Sequence, residues 1–339
     1  MIIQSINEST VRIGPAARIP DVLRTLGVDP ARVLAEAGLD LDLFCDPDNL
    51  ISFSARSHLI ALCQEATDCD HFGLLLGKQV GLSSFGLVGY LVQNSPDVGS
   101  ALNNLVRYFH LHAQGSIVTQ KVENKMAFLG YSIYQPGIEA TAQLEDAAVA
   151  IMYNALQTLC GPEWEPIEIC FAHRKPRDLK PFRQFFRAPL QFDAEQNGLY
   201  FDMECLKQPV TTADHELHRL LQKQIDQLEA RYGDDFPEQV RRVLITALFT
   251  GHTKADQVAA LFSMHSRTLN RRLNNYGTSF QKLADKVRYG IARQMLEASD
   301  IEVSEISEMM GYADASAFTK AFKRWSNTTP SHWRKENKI

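Results

Sequence analysis

Four polar side chains near the end of the chain, Arg267, Asn270, Arg271 and Asn274, fall at helical spacing. Leu269 and Leu273 lie among them, four residues apart, and demand burial, so the polar four share the opposite face of one helix. Arg offers paired donors that match the two major-groove acceptors of guanine, and Asn matches adenine. A second set follows further on: Ala315, Ser316, Thr319, Lys320 and Lys323 lie opposite Phe318, Phe322 and Trp325. It is poorer in bidentate donors, so phosphate contact and duplex shape are its expected contribution more than base discrimination. The chemistry in both places is recognition of double-stranded DNA, not bond making.

Each set sits on the second helix of a helix–turn–helix pattern. Before the first, Thr253 followed by Asp256 resembles a capping box opening a helix that buries Val258, Ala259 and Leu261. A turn at Ser263-Met264-His265 and a cap at Ser266 lead into the first recognition helix. Before the second, Asp300-Ile-Glu-Val-Ser304 opens a helix that buries Val303, Ile306 and Met310. Gly311 is placed as its left-handed stop, and Asp314 as the cap of the second recognition helix. Gly277-Thr-Ser-Phe280 opens a long joining helix with Phe280, Leu283, Val287, Ile291 and Met295 as its apolar stripe. Pro237 starts a helix through Phe249 that buries Val240, Leu244 and Leu248 and ends at Gly251-His252. Thr329-Pro330 starts a terminal helix carrying Trp333. The expected bounds are about 254–276 for the first motif, 280–299 for the joining helix and 303–326 for the second motif.

The formal net charge of −5 argues, taken whole, against a polyanionic partner. The charge is split, however. Residues 237–339 carry 16 Lys and Arg against 10 Asp and Glu, whereas residues 1–236 carry 19 against 30. A basic third on an acidic body is the asymmetry of a DNA-binding module joined to something else. The cysteines, Cys45, Cys63, Cys69, Cys160, Cys170 and Cys205, form no Cys-x-x-Cys pair and read as reduced thiols of a cytoplasmic protein. The start, Met1-Ile-Ile-Gln-Ser-Ile-Asn-Glu, lacks the features of a secretion signal, and no apolar run is long enough for a membrane span.

At 339 residues the chain suits two domains. Helical apolar spacing covers 17–26, 30–37, 53–67 and 101–112, with Gly27 and Gly38 as stops. The period then changes: 116–121 and 126–134 alternate around Glu123-Asn124, a hairpin pattern. A helix over 143–160, a strand near 167–171 and a helix over 180–186 follow. Leu190–Phe192 and Leu199–Phe201 flank Asn197-Gly198 and read as a second strand pair. The expected fold class is α+β. A mixed α/β regulatory domain over 1–211 is followed by a linker helix and hinge over 212–236, broken at Gly233-Asp-Asp-Phe-Pro237, and an all-α DNA-binding domain over 237–339. The linker helix carries Leu217, Leu220, Leu221, Ile225 and Leu228 on one face. That stripe suits the first domain's core, a self-association seam or a strut between domains.

Other constellations lead to bland readings. His110 and His112 do not share a helical face, and His215 and His218 have only Glu216 beside them, so no metal is expected. Cys63 and Cys69 read as buried thiols. Gly73, Gly77, Gly81, Gly86 and Gly89 lack the Lys-Ser/Thr and preceding strand of a phosphate-binding loop, which leaves close helix packing. Lys207 near Cys205 is the one basic cysteine environment, and no nucleophile–base or carboxylate pair stands out. An enzyme is not expected, nor is a cofactor.

The stretch 236–334 resembles the DNA-binding domain of AraC/XylS-type transcription regulators. The likeness is carried by Ile306-Ser-Glu-Met-Met-Gly-Tyr-Ala-Asp-Ala-Ser-Ala-Phe-Thr-Lys-Ala-Phe-Lys-Arg-Trp-Ser-Asn-Thr-Thr-Pro330. It implies a seven-helix domain whose recognition helices enter successive major-groove segments, one turn or about 34 Å apart. By position it implies base reading by Arg267, Asn270 and Arg271, then by Ser316, Thr319 and Lys320; Ala315 is shorter than the polar side chain many relatives place there. Phe72-Gly-Leu-Leu-Leu-Gly77, Phe85-Gly-Leu-Val-Gly-Tyr90 and the proline before Leu190 resemble the N-terminal domain of the branch that includes ornithine-utilisation regulators, not the cupin barrel of the arabinose sensor. The expected partners are promoter DNA, RNA polymerase, a small-molecule effector and a second copy of the chain. The expected function is sequence-specific transcription regulation, as an activator whose N-terminal domain senses a metabolite. The alternative makes that domain a ligand-independent module for oligomerisation and partner binding.

Overall fold

The computed structural model describes residues 9–133, 135, 138–231, 236–250, 253–261, 264–298 and 301–337. Expectations at Met1–Glu8, Tyr134, the break at Gly233-Asp-Asp, the stop at Gly251-His252, Ser263 and Asp300 lie outside the described residues, as does the side chain of Leu261. The chain divides into two compact units, 1–226 and 227–339.

In the first unit β1 (Thr10–Arg12) pairs antiparallel with β2 (Leu50–Ser52). The helices are α1 (Ile19–Thr25), α2 (Pro30–Glu36), α3 (Phe53–Thr67), α4 (Phe72–Lys78), α5 (Leu87–Gln93), α6 (Val98–Tyr108), α7 (Thr141–Cys160) and α8 (Lys180–Phe185), with α9 (His215–Arg231) running across the division between the units. A five-stranded sheet is built from β3 (Ser116–Glu123), β4 (Met126–Ile133), β5 (Glu168–Cys170), β6 (Leu190–Gln191) and β7 (Asn197–Asp202), in the order β3-β4-β7-β5-β6. All pairs are antiparallel except β5 with β6. The sheet is open, with β3 and β6 at its edges.

The β3–β4 turn falls on Asn124 and Lys125, one residue later than the spacing predicts. Both take positive φ, 51° and 66°, the two-residue turn whose twist matches that of the strands. The expected strand pair around Asn197-Gly198 is not formed. Those residues begin β7, which pairs with β4 and β5, while β6 pairs with β5. Gly198 is there for close approach: a Cβ on it would meet the Leu129 carbonyl oxygen at 2.4 Å and the Phe128 ring at 2.5 Å. Asn197 accepts from the Ala172 amide at 2.7 Å. The α4 glycines act as the sequence predicts. A Cβ on Gly73 or Gly77 would collide with the α7 backbone at Gln143 or Ala147, so the two helices pack at backbone distance.

The stripe on α9 splits. Leu221 and Ile225 join the first unit's core, whereas Leu217 and Leu220 stay 40% and 56% exposed.

The second unit is all helical among the described residues: α10 (Phe236–Thr250), α11 (Ala255–Leu261), α12 (Ser266–Asn275), α13 (Phe280–Ala298), α14 (Val303–Met309), α15 (Ala315–Ser326) and α16 (Pro330–Asn337). Val240, Leu244 and Leu248 of α10 are buried, as are Phe280, Leu283, Val287 and Ile291 of α13. Leu296, not Met295, continues the α13 stripe at full burial. α13 packs against α10, α12, α14, α15 and α16 and forms the spine of the unit.

Candidate nucleic-acid interface

The two recognition helices, α12 and α15, are held in different ways. α11 begins one residue later than the Thr253–Asp256 pattern predicts, and the backbone amide of Lys254 donates to Gln257 Oε1 at 3.1 Å, the back-reaching half of a capping box. Ser266 is the first residue of α12 and not its cap; His265 occupies the cap position without a side-chain hydrogen bond. Leu269 and Leu273 are fully buried. Arg267, Arg271 and Asn274 are exposed. Asn270 is half-buried, its Nδ2 donating to Ser266 O at 3.1 Å and its Oδ1 accepting from the Phe280 amide at 3.4 Å. It ties the first recognition helix to the start of α13. Arg272, on the same helix, lies 3.9 Å over the Phe236 ring.

The second motif is capped at every boundary. Glu302 and Glu305 form a capping box at α14, Gly311 takes φ +76°, and the Asp314 side chain accepts from the Ala317 amide at 2.7 Å. Phe318, Ala321 and Phe322 are buried, and Trp325 is half-buried in a run of edge-on rings with Tyr289, Tyr312, Phe322 and Trp333. Polar clamps bind this motif and the terminal helix after it to the spine. Arg324 pairs with Asp285 at 3.0 Å, Arg288 Nε donates to Met310 O at 3.0 Å, and the Trp333 indole donates to Glu297 at 3.0 Å. Ser316, Lys320 and Lys323 are exposed; Ala315 and Thr319 are half-buried.

Among the described residues no hydrogen bond or ion pair holds Arg267, Arg271, Lys320 or Lys323, whereas on the same helices Arg272 stacks over Phe236 and Arg324 pairs with Asp285. The exposed cations of α12 and α15 are therefore of two kinds, those tied to the fold and those with no partner among the described residues. α13, which carries both motifs, is roughly 28 Å long at 1.5 Å per residue, close to one turn of duplex DNA.

In the first unit, a cavity lies among α3, α6, α7, β3 and β4. Its wall is apolar except for Arg56, His112 and Tyr131. It offers about 80 Å³ to the centre of a water-sized sphere, several times the 10–15 Å³ or so that one water needs. The sequence assigns none of these residues to a pocket, and His112 stands there only as a dismissed metal ligand, because they come from segments scattered between Pro15 and Ala155 and look like any core.

Comparison with known proteins decides the family. Residues 27–210, more than half of the chain, match the family described as the arabinose-binding N-terminal domain of the AraC transcription regulator. Residues 258–336 match a helix-turn-helix domain family. The chain is an AraC-family transcription regulator. It is 25% identical to the HTH-type transcriptional regulator VirS of Mycobacterium tuberculosis, over 93% of each chain. It is 24% identical to the ornithine utilization regulator of Pseudomonas aeruginosa, over 96% of each chain. A shorter match, 38% identical, links 36% of this chain to 42% of the urease operon transcriptional activator of Escherichia coli. The names of these relatives are those of transcription regulators, the class to which this AraC-family chain belongs. No helix among its described residues is long and apolar enough to cross a membrane.

Proposed function

We propose that this regulator reads promoter DNA with Arg267, Arg271 and Asn274 of α12, and holds the duplex with Ser316, Thr319, Lys320 and Lys323 of α15. Asn270 sets the angle of α12 by bonding to the start of α13. The observation that carries this reading is the pair of basic faces left unpaired on two helices packed on one spine. Binding measured by fluorescence anisotropy on a selected duplex should fall steeply with salt, because several phosphates are neutralised. A flat salt profile overturns the interface.

The first unit, in this proposal, senses a small metabolite in the cytoplasm and shifts the chain toward a state that contacts RNA polymerase and activates transcription. The apolar cavity supports sensing, and the likeness to a urease operon activator supports activation. A thermal-shift screen of the full chain against amino acids, polyamines, sugars and organic acids tests it: one class should give a saturable rise in melting temperature. Silence across the screen favours a ligand-independent module.

One observation favours that second reading in part. Leu217 and Leu220 lie exposed on α9, a face suited to a homodimer seam. Leu221 belongs to the core, so Leu220→Glu is the substitution that tests it. Loss of a dimer by light scattering, with the melting temperature unchanged, supports the seam; an unchanged mass removes it.

A further inference from the structure

Two arginines reach the buried region around His112, and only one is neutralised. Arg12 donates to Phe85 O at 2.9 Å and pairs with Asp48. Arg56 has no carboxylate partner among the described residues. Its guanidinium lies 4.4 Å over the Phe53 ring and against the Tyr131 hydroxyl, and its Nε is buried without a hydrogen-bond partner. His112, only 3% exposed, leaves Nδ1 unpartnered in the same way. Arg56, His112 and Tyr131 all face the one cavity.

The electrostatics agree with the geometry. Burial lowers the Arg56 pKa, and burial together with the charges of Arg56 and Arg12 pushes His112 well below the usual histidine range. Burial raises Tyr131, and Arg56 draws it partly back. The wall thus holds a cation, a neutral imidazole and a protonated phenol. It holds no anion. A half-buried cation whose Nε is out of water, with no counter-ion among the described residues, is costly to a fold, and an anion arriving in the cavity relieves that cost while making charge-assisted bonds to a guanidinium. The rest of the lining is apolar, with Ile60, Leu105, Leu144 and Met152 among it.

We infer that the cavity takes a small carboxylic acid with an apolar body, its carboxylate held by Arg56 and the Tyr131 hydroxyl. This rests on the proposal that the first unit senses a metabolite, and it names the ligand's chemical class. Arg56 is the specificity determinant, because it is the group that separates an acid from its uncharged analogue.

The test uses the full chain, with octanoate and phenylacetate as probes against the corresponding amides and amines, read by thermal shift and calorimetry. The acids should bind, and the amides should bind at least tenfold more weakly. Arg56→Met should weaken acid binding roughly ten- to hundredfold, the worth of a charge-assisted bond. It should also raise the melting temperature of the ligand-free protein, since it removes an unpaired buried charge. If Arg56→Met does not fold, Tyr131→Phe keeps the ring and should still weaken the acid severalfold while leaving the amide unchanged. Equal binding of acid and amide, or an Arg56→Met variant that binds acids as well as the parent, overturns the inference. If an amine or a sugar binds while every acid fails, the carboxylate class is wrong and the sensing proposal stands. If no compound of any class binds, both fall.

Discussion

The two helix–turn–helix motifs share one spine but divide their resources differently. The first puts guanidinium groups on the face of α12 and caps its helix starts more weakly: α11 has the back-reaching half of a capping box, His265 gives α12 no side-chain cap, and Asn270 supplies a long 3.4 Å bond to α13, although α12 closes on the left-handed Gly277. The second has caps at α14 and α15, a left-handed glycine between them, a run of packed aromatic rings and two polar clamps to α13, with a third from α16, yet the side chains it leaves exposed and unpaired are small hydroxyls and lysines. On the proposed DNA-reading function, the difference is a division of labour. A helix that reads base edges needs bidentate donors, and a helix that fixes the register of the protein on the duplex needs a rigid seat.

The largest effect should come from the seat. Phe322 is fully buried, so Phe322→Ala should cost about 3–5 kcal/mol and melt the second unit, seen by denaturant unfolding together with loss of all DNA binding. Retained binding with normal stability would show that the second motif is not the rigid one. Next in size, Arg271→Ala should weaken binding to a selected duplex by about 1–3 kcal/mol while barely changing affinity for random sequence. Equal losses on both would make Arg271 a phosphate contact and erase the contrast between the motifs.

The caps sharpen the comparison at about 1 kcal/mol. Asp314→Ala should lower unfolding free energy by roughly that amount, whereas His265→Ser, which installs a cap that α12 lacks, should raise it by a similar or smaller step. If the two substitutions shift stability in the same direction, the capping asymmetry has no energetic content. The smallest effect belongs to Arg324→Ala. Its bond to Asp285 is mostly exposed, so the loss should be under about 1 kcal/mol and should shrink with added salt.

Much of the second motif was legible in the sequence because its signals are local. Asp314, Gly311 and the Phe318–Phe322 spacing act within a turn or two of themselves, and each does what its type and position imply. The errors share a different cause. Asn270 looked outward by spacing, but its partner is the backbone of Phe280 in the next helix. Asn197-Gly198 carries turn residues, yet Gly198 is needed because the Phe128 ring lies across it from the neighbouring strand. Leu217 and Leu221 fit one stripe, and only packing against the first unit's core separates them. The cavity around Arg56 was invisible for the same reason: its wall is assembled from segments far apart in the chain, and nothing local marks Arg56 as lacking a counter-ion.

The division of labour is tested most directly by selecting bound duplexes from a random pool with the parent chain, Arg271→Ala and Lys323→Ala. Arg271→Ala should lose its base preference at one position while keeping the rest of the site. Lys323→Ala should recover the parent's site unchanged, bind every sequence more weakly by a common factor, and show a salt slope smaller by about 0.9. Loss of base preference in Lys323→Ala, with the full site retained by Arg271→Ala, would contradict the account.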